Sequence, residues 1–454
     1  MKPLRVVVVG AGIAGLACAH RLRREARARG RALELLVLEA HERAGGHVHT
    51  VRERGFVVEG GPNAFLDRVP EVRALVGELG LEEELVEARP AAARRFVLRR
   101  GRLRRVPDGP VGLLRGDALS PLGKARLLLE PFARRAPRGC EETVEEFARR
   151  RVGAEAAAVL VDAAVGGVSA GDPRALSLPA AFPLMDRMEK EHGSLVRALL
   201  ARRRAGTKPA RLLSFRGGMG AVVDALARDL GDALRTSCAV HALEATSGGW
   251  RVKCDDGGAF DADHVVCALP GAGASQLLAP LDAEAARELA GTPFASVAVV
   301  GLGVDATALP PVLDGYGYLV PRGEGLTTLG VVHDSALFAG RAPEGAALLR
   351  VILGGPRDPA IAMRPDAELI ELARRELVAV AFDPGALRGA WVFRRPFAIA
   401  QYVLGHRERT ARARERVSRV AGLHLCGTSY DGISFGSAIA SGRATAERLL
   451  AEAT

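Results

Sequence analysis

Residues 4–15 read LRVVVVGAGIAG. Leu4–Val9 is a short apolar, β-branched run, the pattern of a strand buried on both faces of a parallel sheet. Three glycines follow at fixed spacing. Gly10 permits a tight turn, Gly12 lets backbone approach a pyrophosphate, and Gly15 lets a helix pack closely on the strand. That helix is expected from Ile13 to Arg29, with small Ala19 on its packing face. Its first turn, with Ala11, Ile13 and Ala14, offers free N–H groups and the positive end of the helix dipole to phosphates. Leu33–Glu39 is a second buried strand, which completes a βαβ opening. Glu39 ends it, where a carboxylate accepts bonds from both hydroxyls of an adenosine ribose and repels a 2′-phosphate. Strand, glycine turn and helix in this order are the context a dinucleotide site requires.

The chain continues VLEAHERAGGHVHT over residues 37–50. A nicotinamide site needs little beyond Glu39, yet Ala40, Arg43, the pair Gly45-Gly46, His47 and Thr50 follow. A second glycine pair brings backbone to the dinucleotide a second time.

Farther out, composition sets limits. The 454 residues are 48% apolar and 26% charged, which supports a globular core and excludes disorder. This length suits two or three domains, or one large two-lobed enzyme. Aromatics are only 4%, so pockets must be lined mainly by aliphatic side chains. Cys18, Cys140, Cys238, Cys254, Cys267 and Cys426 show no CxxC spacing, and no Cys/His cluster has zinc spacing, so no metal is expected. Reduced, buried thiols in a cytoplasmic setting are the reading of that pattern. No signal peptide and no apolar run of membrane-spanning length are visible.

The net charge of +10 is concentrated. Residues 94–211 hold 25 Lys and Arg against 13 Asp and Glu, while the remainder holds 38 against 40. Such an excess attracts anionic substrates or lipid headgroups, or simply coats a solvated face. Nucleic acid is excluded as a partner, because no aromatic-rich binding stretch or helix-turn-helix pattern accompanies the charge.

Strand-like runs recur at Ala239–Leu243, Trp250–Cys254, His264–Ala268, Ser296–Leu302, Leu348–Leu353 and Gly422–Gly427, and a last helix is expected over Ser441–Glu452. Both ends of the chain read as nucleotide-binding and the middle does not.

Glu39, Arg43, Gly45-Gly46 and Thr50 together resemble the signature of the FAD-dependent amine oxidase, phytoene desaturase and protoporphyrinogen oxidase superfamily. VVEGGPNAFL (57–66), CAVHAL (238–243), DADHVVCALP (261–270) and HLCGTSYDGISFGSAIASGRATAERLL (424–450) fit it too. The resemblance implies a buried FAD. It passes Gly61, Pro62, Asn63 and Ala64 by the flavin, Val240 by the adenine, and Gly427, Ile433, Ser434 and Phe435 by the isoalloxazine. His47 replaces the Arg, Lys or Trp often found there, and Phe435 is bulkier than the usual residue. Gly436-Ser437-Ala438 stand where Asn-Asp-Cys is usual.

The segments ARRFVLRRGRLRRVPDGP (93–110), GGVSAGDPRALSLPAAFPLMDRMEKEHGSL (166–195), GYGYLVP (315–321) and AQYVLGH (400–406) are similar to oxygen-dependent, bacterial-type protoporphyrinogen oxidases. The implied fold is α/β: a two-lobed, Rossmann-like FAD-binding domain (1–93, 212–280 and 420–454). Inserted into it are a basic helical lobe facing substrate and membrane (94–211) and an α+β substrate domain (281–419). The implied reaction takes protoporphyrinogen IX to protoporphyrin IX for heme synthesis, with FAD as hydride acceptor, O2 as oxidant and hydrogen peroxide as by-product. Arg95 is placed at a substrate propionate and Gly167 at the pyrrole N–H groups, with Tyr316, Leu319 and Ile352 sandwiching the ring. Flavin N5 takes the hydride, so no catalytic side chain is expected, and His47, His192, His333 and His406 are structural or exposed. Partners implied are an anionic membrane surface, ferrochelatase or another heme-pathway enzyme, and a second copy in a homodimer.

Alternatives stay open. Coproporphyrinogen III carries two more carboxylates, which the arginines suit. An amine oxidase would hold a lysine near the flavin, but none follows Lys253. A carotenoid desaturase needs no arginine cluster. A non-catalytic flavin-binding partner in tetrapyrrole synthesis is the remaining alternative.

Overall fold

The computed structural model describes residues 2–107, 109–137, 139–206, 210–309, 314–378 and 382–453. Leu4–Val9 forms the middle of a five-stranded parallel sheet. The order is Leu234–Arg235, Leu33–Leu38, Leu4–Val9, His264–Cys267, Leu423–Leu425. Val6 and Val8 pack into a core shared with the helices Ile13–Ala28 and Phe435–Glu452. Val7 and Val9 pack into another around Trp250, Val252 and Leu277. Cover on both faces is why this strand carries no polar alternation. The last helix starts at Phe435, ahead of the Ser441 start expected, because the Ser434 hydroxyl caps it by accepting the Ser437 N–H.

A second sheet has seven strands, in the order Gly389–Ala400, Phe294–Asp305, Ala346–Gly354, Thr328–Val332, Gly317–Leu319, Arg95–Arg99, Arg102–Arg105. Neighbours run antiparallel except Gly317–Leu319 beside Arg95–Arg99. One face, through Ala298, Val300 and Leu302, packs with Leu369, Leu372 and Ala373 of the helix Asp366–Val378. The other carries Val299, Ile352 and Phe393.

This sheet corrects the expected division at residue 94. Pairing of Gly317 with Arg95 and of Leu319 with Val97 takes the hairpin 95–105 into the seven-stranded sheet, and the helices begin only at Pro110. The expected division at 280 shifts as well. Helix Ala283–Ala290 packs through Ala285 and Leu289 on the core of the five-stranded sheet, joined by Ala413 and Val417 of helix His406–Ser418.

The helices between Pro110 and Arg204 hold together partly by polar contacts. Thr143 and Glu146 form a capping box. Fully buried Arg151 pairs with Glu130, whose carboxylate also accepts the Ser194 hydroxyl and the Leu195 and Val196 N–H groups. No helix among the described residues is long and apolar enough to cross a membrane.

Candidate functional site

At the carboxyl end of the central strand Gly10 has φ +99°, and a Cβ on Gly15 would lie 2.0 Å from the Gly10 carbonyl oxygen. The first helix is therefore pressed onto the turn. A Cβ on Gly12 would meet nothing within 4 Å, so the space before that helix is open. Gly12 is the N-cap and no side chain caps it, which leaves first-turn N–H groups to face that space. Glu39 is 7% exposed, with Oε2 accepting the Ala11 N–H at 2.8 Å and Oε1 the His41 N–H at 3.1 Å. Each oxygen keeps a lone pair for a ribose hydroxyl. Exposed Ala40 follows. Val240 opens a strand close by, where the Cys238 N–H donates to the Glu39 carbonyl at 2.8 Å.

The second glycine pair lies against the first turn. Gly45 and Gly46 have φ +100° and +56°, and the Gly45 N–H donates to the Ala11 carbonyl at 2.8 Å. Arg43 holds this loop from inside. It donates to the carbonyls of Ala44 (2.6 Å), Val48 (2.9 Å) and Gly46 (2.6 Å). The Thr50 hydroxyl accepts the Gly220 N–H at 2.7 Å and donates to Glu59 at 2.7 Å. Glu59 also accepts the Met219 N–H at 2.7 Å. These bonds fasten the start of helix Gly220–Leu230 to the loop.

Gly60–Ala64 runs alongside. A Cβ on Gly61 would lie 2.0 Å from the His47 carbonyl oxygen, and one on Gly60 would lie 2.2 Å from the Phe393 ring. Buried Arg350 donates to the Gly61 carbonyl at 2.8 Å and to Asp334 at 2.7 Å. Asn63 donates to Asp334 at 2.9 Å, so its amide faces this ion pair. Pro62 and Ala64 flank it. His47 is open to solvent on one side but walled by protein elsewhere. That desolvation, with the charges of Arg395 and Arg43, pushes its imidazole down to about 4. Desolvation and the same two arginines push His49 to about 4 as well.

The carboxyl-terminal segment closes the cradle. Gly427, with φ +124°, donates its N–H to the Ser441 hydroxyl at 2.9 Å and sits beside Ala14. The Tyr402 hydroxyl accepts the Gly432 N–H at 2.8 Å and donates to the Thr428 carbonyl at 2.6 Å, which fixes the approach to Ile433 and Ser434. The expected place of Phe435 is corrected. Its ring is 8% exposed and packs 5.6 Å from the Phe65 ring in the core.

The five expected substrate residues meet at the seven-stranded sheet and the helix Asp162–Ser169. Leu319 and Ile352 both pair with Gly330 across the strands. A Cβ on Gly167 would stand 2.3 Å from Leu319 Cδ2. The Arg95 guanidinium lies 5.5 Å from the centre of the Tyr316 ring. Arg95 is exposed and has no carboxylate partner among the described residues. Arg94 and Arg350 are committed to Asp314 and Asp334.

The glycines, the uncapped helix and the Glu39 carboxylate fit a dinucleotide cofactor. The profile of the flavin-containing amine oxidoreductases matches residues 13–450. The chain belongs to that family. A flavin-containing amine oxidoreductase of this build is an FAD-dependent oxidoreductase. The chain is 32% identical to the chloroplastic protoporphyrinogen oxidase of Nicotiana tabacum, over 96% of this chain and 83% of that protein. It is 28% identical to the coproporphyrinogen III oxidase of Bacillus subtilis, over 97% and 96%. A crystal structure from Exiguobacterium sp. 255-15, provisionally assigned as a protoporphyrinogen oxidase, superposes with a TM-score of 0.87 at 26% identity, covering all of both chains. Within this flavoenzyme, sequence reasoning missed Arg350, Asp334, Glu59 and Arg395 as supports of the cradle. Arg350 left a signal, being the one charge inside the apolar strand AALLRVILG.

Proposed function

We propose that this chain oxidises protoporphyrinogen IX to protoporphyrin IX in three two-electron steps, with three O2 reduced to three H2O2. Bound FAD supplies the two-electron acceptor. Arg95 grips a propionate with parallel hydrogen bonds. Tyr316, Leu319 and Ile352 pack on the ring, and the Gly167 backbone faces the pyrrole N–H groups. The sheet and helix around them exclude water and fix the ring's position. Three hydrides leave meso carbons, and of the three protons that leave with them two come from pyrrole nitrogens and one from the remaining meso carbon by tautomerisation. The imidazoles of His47 and His49, lowered to about 4, are poorly matched to accept a proton at neutral pH.

The observation that carries this reading is a guanidinium without a carboxylate partner, 5.5 Å from the Tyr316 ring, on the sheet where Leu319 packs against Gly167. It favours the substrate with fewer carboxylates. Coproporphyrinogen III would need further free cations, whereas Arg94, Arg350 and Arg357 are committed to Asp314, to Asp334 and to backbone carbonyls. The test is anaerobic. Protoporphyrinogen should bleach the yellow FAD-loaded protein faster than coproporphyrinogen does, and air should restore the colour with porphyrin fluorescence. Bleaching by neither overturns the reading, and bleaching by coproporphyrinogen alone moves it to that substrate.

A greasy substrate also gives the helical region a purpose. Leu122 and Phe132 are 81% and 79% exposed, and Val111, Leu114, Leu128 and Leu129 are exposed with them. Arg115, Arg134 and Arg135 lie exposed in the same stretch. Exposed apolar side chains with exposed arginines in the same stretch suit peripheral attachment to an anionic membrane surface.

A further inference from the structure

On the side of the five-stranded sheet away from the glycine turns, three ligating groups converge. His264 stands at the first residue of its strand, His424 lies in the neighbouring strand, and Glu452 ends the last helix. His264 Nδ1 lies 3.1 Å from His424 Nε2, and Glu452 Oε2 lies 3.8 Å from that same Nε2. All three ligand atoms fall within 4.8 Å of one another. We infer that His264, His424 and Glu452 form a binding site for a divalent first-row transition metal, of the zinc class, that ties the sheet edge to the end of the last helix.

The geometry favours a cation over a plain hydrogen bond. Two ligands on a tetrahedral zinc with bonds of about 2.0–2.1 Å stand roughly 3.3 Å apart, close to the spacing of the two ring nitrogens. A single proton between those nitrogens would leave the carboxylate beyond hydrogen-bond reach, while a metal ion satisfies all three donors together. Two imidazoles and a carboxylate are a borderline set that suits zinc, cobalt, nickel or copper better than magnesium or calcium. Nearby charges have other work. Arg31 donates to the Ala453 carbonyl at 2.7 Å and Arg448 to the Thr445 hydroxyl at 2.7 Å. Both guanidiniums weaken a cation's hold by charge repulsion, Arg31 from the side of His264 and Arg448 from the side of His424. Exchangeable metal is therefore expected, and titration is the proper measurement. Spacing along the chain hides the set, since the two histidines are 160 residues apart.

The competing donor set is Cys238, Cys254 and Asp256, with the sulfurs 2.9 Å apart. The test uses chelator-stripped, FAD-loaded full-length protein titrated with Co2+ alone and then Zn2+. Stoichiometric uptake, with cobalt d–d bands free of thiolate charge transfer, is expected. A Tm that rises with free Zn2+ should accompany it. His264→Asn should abolish both effects and Glu452→Gln should weaken them, while FAD content and oxidase turnover stay unchanged. Cys238→Ala should bind as the parent does. No uptake by the parent overturns the site. So does uptake retained in His264→Asn, or lost only in Cys238→Ala.

Discussion

Arg95 holds its charge in reserve. Its guanidinium touches only the Tyr316 ring among the contacts described, while Arg94 beside it is spent on Asp314. Arg95→Ala should raise KM for a porphyrinogen by about tenfold to a hundredfold, matching a charge-assisted bond of roughly 1.5–3 kcal/mol. Turnover and FAD content should hold, and Arg95→Lys should recover part of the loss. An unchanged KM removes Arg95 from the site. Thr50 works differently. Its hydroxyl serves the Gly220 N–H and Glu59 at once, and burial already raises the Glu59 carboxyl against the pull of Arg341. Thr50→Val keeps the shape, leaves the Gly220 N–H without its acceptor and takes one donor from Glu59. It should cost about 1–3 kcal/mol in denaturant melts and release FAD more readily on dilution.

The two helices that frame the cradle approach each other at Gly442. A Cβ there would lie 2.1 Å from the Ala14 carbonyl oxygen and 3.0 Å from the Cys18 nitrogen. Backbone cannot give way as a flexible side chain can. Gly442→Ala should therefore separate the helix Ile13–Ala28 from the helix Phe435–Glu452, at about 1–3 kcal/mol of overpacking. Because both helices start at the cofactor space, the measured sign is a lower FAD-to-protein ratio after gel filtration. A parent-like ratio would show that the crossing does not set the cradle.

Across the whole molecule, Glu155 joins the helical region to the hairpin 95–105. Burial alone would raise its carboxyl, but bonds from Ser120 and Arg99 outweigh this and hold it at about 2, below an ordinary value of 4.5. A depressed folded-state pKa adds stability above about 4.5 that is lost as pH falls toward about 2. Glu155→Gln should melt earlier than the parent at pH 7, and the gap should close on acidification below about 4.5. A gap independent of pH would remove the ionised carboxylate as its cause. The exposed apolar patch makes a second prediction at this scale. Leu122→Asp with Phe132→Asp should abolish sedimentation with anionic vesicles at low salt and leave anaerobic flavin bleaching intact. Equal binding by parent and variant would place attachment elsewhere.

The residues 4–15 and 37–50 determined the dinucleotide cradle by themselves. A glycine turn, a buried strand and a helix start are made by neighbours in the chain, so their physics is written in a dozen consecutive letters. Glu39 and the second glycine pair were legible for the same reason. Phe435 was not, because whether its ring meets ligand or core depends on the face its helix buries. The hairpin 95–105 read as part of a basic lobe by charge, and only pairing with Gly317–Leu319 moved it into the sheet. Arg350 reaches Gly61 across 289 residues, and His264 reaches His424 across 160. Such contacts exist only after the chain has closed on itself. Tertiary structure therefore decided which charges are spent holding the fold and which, like Arg95, remain free to bind.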